Sequence, residues 1–268
     1  MKESIGFVLL GVIVLFILRM LFFRITGQKY KPKFFGTSRI PGSSSQLPVG
    51  GNLFGAYYVI REGYRFSENR RRLVQRLISA FFLKWILEGK AVVQSGGGLL
   101  RQTSLELRLD MPFRDRTEMA LFEMALAAAG GNNTLTQYEF NNWVVRYLRM
   151  VEAWSMRAEV RGRTYLATRG WLQGSDCGTQ EGFEHLRGVI EFQNCLKKGN
   201  LSFGKDRQPE QWQDYLVMAA LFGEAEKVAR QLRLPGSTDM AIAASNNMGK
   251  AFTRAMDKEE AREERRSR

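Results

Sequence analysis

Residues 5–23, IGFVLLGVIVLFILRMLFF, constrain this chain more than any other stretch. Arg19 is the one charge in nineteen positions. As a helix the run extends about 28 Å, the thickness of a bilayer's hydrocarbon core. Arg19 falls one turn from its end, where a long stem can lift the guanidinium to the headgroups. A cleaved signal peptide would have a shorter apolar core and small residues at a cleavage site. Here the run continues into RITGQKYKPK, so it reads as an uncleaved anchor.

The flanks give its direction. Lys2 and Glu3 nearly cancel, whereas Arg24, Lys29, Lys31, Lys33 and Arg39 follow the span with no acid among them. Positive flanks stay inside, so the rest of the chain is expected in the cytoplasm, on a single-pass protein of the inner membrane. Arg24, Lys29, Lys31 and Lys33 are candidates to meet anionic lipid headgroups. A net charge of +13 agrees with an anionic neighbour, lipid or nucleic acid. The two cysteines, Cys177 and Cys195, form no C-x-x-C pattern and suit a reducing compartment. The sequons at Asn132 and Asn200 would then go unused.

Beyond the span, residues 24–52 read as a basic linker rich in Gly, Ser and Pro. Next, Leu73, Val74, Leu77, Ile78, Phe81, Phe82, Trp85 and Ile86 repeat at helical spacing, and Gly89 stands where a C-terminal cap belongs. Leu105, Leu107 and Leu109 alternate with charged residues as a half-buried strand does, after a glycine turn at 96–98. Helix, strand, turn and strand are the order of a winged-helix unit, here 53–113.

A second such unit is expected at 114–172. Asp115 and Glu118, then Thr136 and Glu139, have capping-box spacing. The second box opens a helix carrying Phe140, Val144, Tyr147, Leu148, Val151 and Trp154 on one face, and VRGRTYLATRG reads as a turn and strand. Residues 173–234 form a helical block. It ends in a hairpin: a helix from Pro209 with Trp212, Tyr215, Leu216, Ala219 and Phe222 on one side, a break at Gly223, and a return through Val228 and Leu232. This hairpin is expected to close the second unit's core. The tail, 235–268, is poor in large apolar residues and ends in DKEEAREERRSR, which reads as a solvated helix or disordered. The fold class is thus mainly α with small β-hairpins, an α+β arrangement behind one membrane helix.

Several of these residues carry a resemblance. Thr168, Gly170, Leu186, Gly188, Trp212, Tyr215, Leu216, Phe222, Gly223, Lys227 and Val228 fall in a pattern similar to the cytoplasmic half of the YciQ-like family of bacterial predicted membrane proteins, across roughly residues 50–234. The resemblance implies architecture and location, since that family has no characterised activity. Its members carry a large extracytoplasmic β-rich half before the membrane helix, where this sequence has four residues.

No chemistry-bearing motif holds. His185 is the one histidine and G-x-S-x-G is absent. MGKAF at Met248 lacks the first glycine and the hydroxyl residue of a phosphate loop. No catalytic, cofactor or metal residue is assigned, and the chain reads as a non-enzymatic interaction domain for a protein partner. The competing expectation is nucleic-acid binding: Gln137, Asn141, Asn142, Arg146 and Arg149 on a recognition helix, with Arg70, Arg71 and Arg72 on phosphate.

Overall fold

A computed structural model describes residues 40, 42–63, 69–95, 103–173, 177–199 and 209–266. The expected span, its basic flank with Arg24, Lys29, Lys31 and Lys33, and the glycine turn at 96–98 lie outside the described residues. Among the described residues, no helix is long and apolar enough to cross a membrane.

The described part is mainly helical with a small antiparallel sheet. A 3-10 turn at Pro48–Gly51 leads into α1 (Leu53–Gly63) and α2 (Arg70–Leu87). The hairpin β1 (Ala91–Ser95) and β2 (Thr103–Leu107) comes next, then α3 (Arg116–Ala129), β3 (Thr134–Thr136), α4 (Gln137–Arg146) and α5 (Leu148–Thr168). The two-residue strands β4 (Leu172–Gln173) and β5 (Cys177–Gly178) precede α6 (Gln180–Lys198). The chain finishes with α7 (Pro209–Phe222), α8 (Ala225–Gln231) and α9 (Gly236–Arg266).

Helix α2 is the hub. Its stripe is buried as its spacing predicts except for half-buried Ile86, and Ser79, Ala80 and Leu83 on its other sides are buried too. The cause is its neighbours: α9 and α7 pack along it, and α1 and β1 touch it as well. Asn69 caps it, its Oδ1 accepting from the Arg71 amide at 2.9 Å. Gly89 closes the other end with φ +75°, a conformation side chains resist. Trp85, Phe82, Phe122 and Phe140 meet edge to face around this helix.

Several expectations need correction. Residues 160–168 are helical, not a turn and strand, because α5 runs through them. There Gly162 allows the close approach of α1: a Cβ on it would collide with the Phe54 carbonyl and the Tyr58 side chain. The expected border at 113/114 is bridged by one sheet, since β2 pairs with β3 as well as β1, setting Leu105 opposite both Val93 and Leu135. The supposed single helix through Phe140 and Trp154 bends at Tyr147 (φ −116°, ψ 32°), where α4 ends and α5 begins.

The hairpin α7–α8 forms as the sequence predicts, turning at Gly223 with φ +77°. It packs on α2 rather than on the second unit. Every residue from Tyr215 to Phe222 is buried, while Trp212 is only half-buried. The tail is the largest correction. Helix α9 buries Ala241, Ile242, Ser245, Met248, Phe252 and Ala255 against α2 and α4. Its first turn and its last turns, beyond Met256, are mostly exposed.

Candidate functional site

The sequence-predicted contact residues gather around the bend at Tyr147. The Thr136–Glu139 capping box sets the start of α4: the Glu139 amide donates to Thr136 Oγ1 at 3.2 Å, and the Thr136 amide donates to Glu139 Oε2 at 2.8 Å. Phe140 and Val144 are buried beneath, which turns Asn142 and Arg146 outward. Across the bend, Val151 and Trp154 anchor α5, and Trp154 Nε1 donates to the Thr117 carbonyl at 2.8 Å. Arg149 and Met150 are thereby exposed.

Between this corner and the end of α9 lies an open groove of about 1310 Å³. Asn142, Arg146, Arg149 and Arg71 line it, so four of the eight sequence-predicted residues share one site. Gln137 and Asn141 are half-buried outside it, and Asn141 Oδ1 is buried without a hydrogen-bond partner among the described residues. Arg70 and Arg72 are exposed but do not line it.

Other lining residues carry no signal in a sequence scan for positive charge. Tyr147, Met150 and Met156 add exposed apolar surface to the lining. Glu152 lies on α5, while Glu259, Glu260 and Glu263 come from α9. The lining therefore holds four glutamates and four arginines, counting Arg262. Arg71 is already engaged: its Nη1 donates to Glu260 Oε2 at 2.9 Å, and Asp257 lies 3.9 Å away. The hydrogen bond and charge of Arg71 hold the Glu260 carboxyl below its usual range.

A phosphate backbone laid along Asn142, Arg146 and Arg149 would meet these carboxylates. Phosphate binding draws on local positive charge, and here that charge is balanced. A polypeptide carrying both signs and apolar side chains fits better, because Met side chains repack around varied partners.

A smaller concavity of about 540 Å³ holds Lys84, Glu88, Lys90, Arg114 and Glu118. Its charges serve the fold. Lys84 Nζ donates to Glu118 at 2.6 Å, and Trp85 Nε1 donates to the same carboxylate at 3.0 Å. Lys90 pairs with Glu88 at 2.7 Å and sits 4.5 Å above the centre of the Phe113 ring. His185 is exposed and stacks on Trp171 with centroids 4.0 Å apart. No group of His, Cys, Asp or Glu suited to hold a metal occurs among the described residues. No protein-family model, curated protein or solved structure matches the chain.

Proposed function

We propose that this chain is a membrane-tethered, non-enzymatic interaction domain, held at the cytoplasmic face of the inner membrane by residues 5–23. Its partner would be a polypeptide seated in the corner groove. The observation that carries this reading is the groove's composition: four arginines and four glutamates around Tyr147, Met150 and Met156. Such a lining favours a chain that offers both charges and apolar side chains, and disfavours a polyanion. The tether would raise the partner's effective concentration when that partner is also membrane-bound.

The kinship with the cytoplasmic half of the YciQ-like family belongs to the same proposal. So does the winged-helix-like reading, which the order of α2 and the β1–β2 hairpin supports for the first unit, while the second retains only α3, β3 and α4 without its closing strand pair. A protein-binding role for such units is an analogy of fold, and the groove supplies the specific argument.

The test is photo-crosslinking in intact membranes from position 150, in the full chain. The reading expects one protein adduct that disappears with Arg146→Glu plus Arg149→Glu and persists with Arg230→Glu on α8. Nucleic acid in the adduct, or an adduct indifferent to the groove charges, would contradict it.

A further inference from the structure

Helix α5 presents a second face that adjoins the groove and shares Arg149, Ala153 and Met156 with it. Its 21 residues run about 32 Å. The exposed positions include Arg149, Arg157, Arg161 and Arg163 and no acid. The helix's two acids, Glu152 and Glu159, are half-buried, and Glu159 pairs with Arg61. Met156 is 53% exposed and Val160 63% exposed, where most large apolar side chains of this protein are buried.

The order of these residues around the helix is informative. At about 100° per residue, Met156, Val160, Ala153 and Ala167 fall within an arc of about 60°. Arg149, at the helix's N-terminal end, falls on the same arc; toward the C-terminal half Arg163 borders it on one side, and Arg157 and Arg161 on the other. Arg161 also donates to Asp115 at 2.5 Å, which holds it at the rim. An apolar centre with cationic margins is the pattern of a helix lying on an anionic bilayer: the centre enters the headgroup boundary and the arginines meet phosphate.

We propose that the outward face of α5, centred on Val160, docks on an anionic lipid surface. The proposal rests on the tethered reading above, because the entering chain leads to this helix. Asn194 donates to the Ile40 carbonyl at 3.1 Å and to the Gly42 carbonyl at 2.9 Å, which guides the chain along α6. A few residues on, the Tyr165 hydroxyl of α5 donates to the Val49 carbonyl at 2.9 Å. The stretch from Phe23 to Ile40 reaches no farther than about 60 Å fully extended. The domain therefore stays near the bilayer, where each arginine at an anionic surface adds to adsorption. Ala153 and Met156 belong both to this face and to the groove wall, so a partner in the groove would sit at the bilayer surface. The groove's acids on α9 lie across from α5, and Glu260 is neutralised by Arg71.

The experiment uses the full chain reconstituted in phosphatidylcholine vesicles with or without phosphatidylglycerol. An environment-sensitive fluorescent residue replaces Val160, or Arg230 as a control exposed elsewhere. Quenchers attached to acyl chains report contact with lipid. The proposal expects strong quenching at position 160 with phosphatidylglycerol, little without it, and little at position 230 in either. Arg157→Gln with Arg163→Gln should cut the quenching at 160 several-fold, as should high salt. Position 160 dark to lipid quenchers would overturn the proposal, whether it stays open to an aqueous quencher or is shielded by protein. Alkaline carbonate extraction of the same vesicles tests the tether separately. Release of the chain would remove the span reading, while the quenching data would still judge the face.

Discussion

Helices α2 and α9 lie against each other, yet they achieve burial by opposite means. Helix α2 uses bulk: Phe81, Phe82, Trp85 and four aliphatic side chains at helical spacing, all buried. Helix α9 uses smallness: Ala241, Ala244, Ser245, Gly249, Ala251 and Ala255 recur along its buried seam, with Ile242, Met248 and Phe252 between them. Where they cross, a Cβ on Gly249 would collide with Ser79 Oγ and the Gln75 carbonyl. Bulk gains apolar area per residue. Small residues instead let two backbones approach closely, so the contact is made by many short dispersion interactions. A sequence scan weighted to large apolar residues sees the first means and not the second.

The largest expected effect is on the bulky side of this contrast. Trp85→Ala removes a fully buried ring and the donor to Glu118, and should cost about 3–5 kcal/mol in a denaturant titration. That is a large share of a typical domain's stability. The small-residue seam should respond in the reverse sense. Gly249→Val forces α9 away from α2 and should cost about 1–3 kcal/mol, with Gly249→Ala intermediate. If Gly249→Val melts like the parent, the crossing is looser than described and the contrast fails.

The same contrast bears on the hairpin. A core tryptophan at position 212 would make Trp212→Ala as costly as Trp85→Ala. Trp212 is half-buried, and its Nε1 has no hydrogen-bond partner among the described residues. The expected cost is therefore about 2 kcal/mol, near the burial of one ordinary apolar side chain. Equal destabilisation by the two substitutions would place Trp212 in the core after all.

Thr136→Ala breaks the capping box at the head of α4 and should cost about 1 kcal/mol by the same titration. The smallest effect is electrostatic. Burial pushes Asp115 up, but hydrogen bonds from Arg161 and from the amides of Glu118 and Thr117 outweigh it and hold the carboxyl below its usual range. A depressed carboxyl stabilises the fold above the ordinary aspartate range and loses that stabilisation as pH falls through the depressed value. Asp115→Asn, which retains a capping oxygen, should leave a flatter acid limb in Tm against pH between about 5 and about 3. An unchanged limb would show that Arg161 contributes nothing there.

What was legible in the sequence follows from these mechanisms. The stripe of α2, the cap glycine at 89, the Asp115 and Thr136 caps and the turn at Gly223 all depend on local residue chemistry, and each was readable. The run through Gly162 was misread because Gly and Thr weaken a helical pattern locally, while the contact with α1 that stabilises α5 is distant in sequence. All of α9 reads as tail in the sequence because its buried seam is mostly small residues with only Ile242, Met248 and Phe252 between them. The groove was half legible for the same reason. Arg71, Asn142, Arg146 and Arg149 announce themselves, but Glu259, Glu260 and Glu263 reach them only through the packing of α9. Without that packing, the corner looks like a basic surface for nucleic acid.

The groove exists only if α9 is core up to Ala255 and groove wall beyond it. Hydrogen exchange on the full chain in a bilayer mimic reads this directly. The account predicts amides at 241–255 protected to the level of 73–85, with protection falling steeply from Asp257 onward. Uniformly fast exchange from Gly236 to Arg266 would contradict it, returning the tail to solvent and removing the acidic wall that faces Arg146 and Arg149.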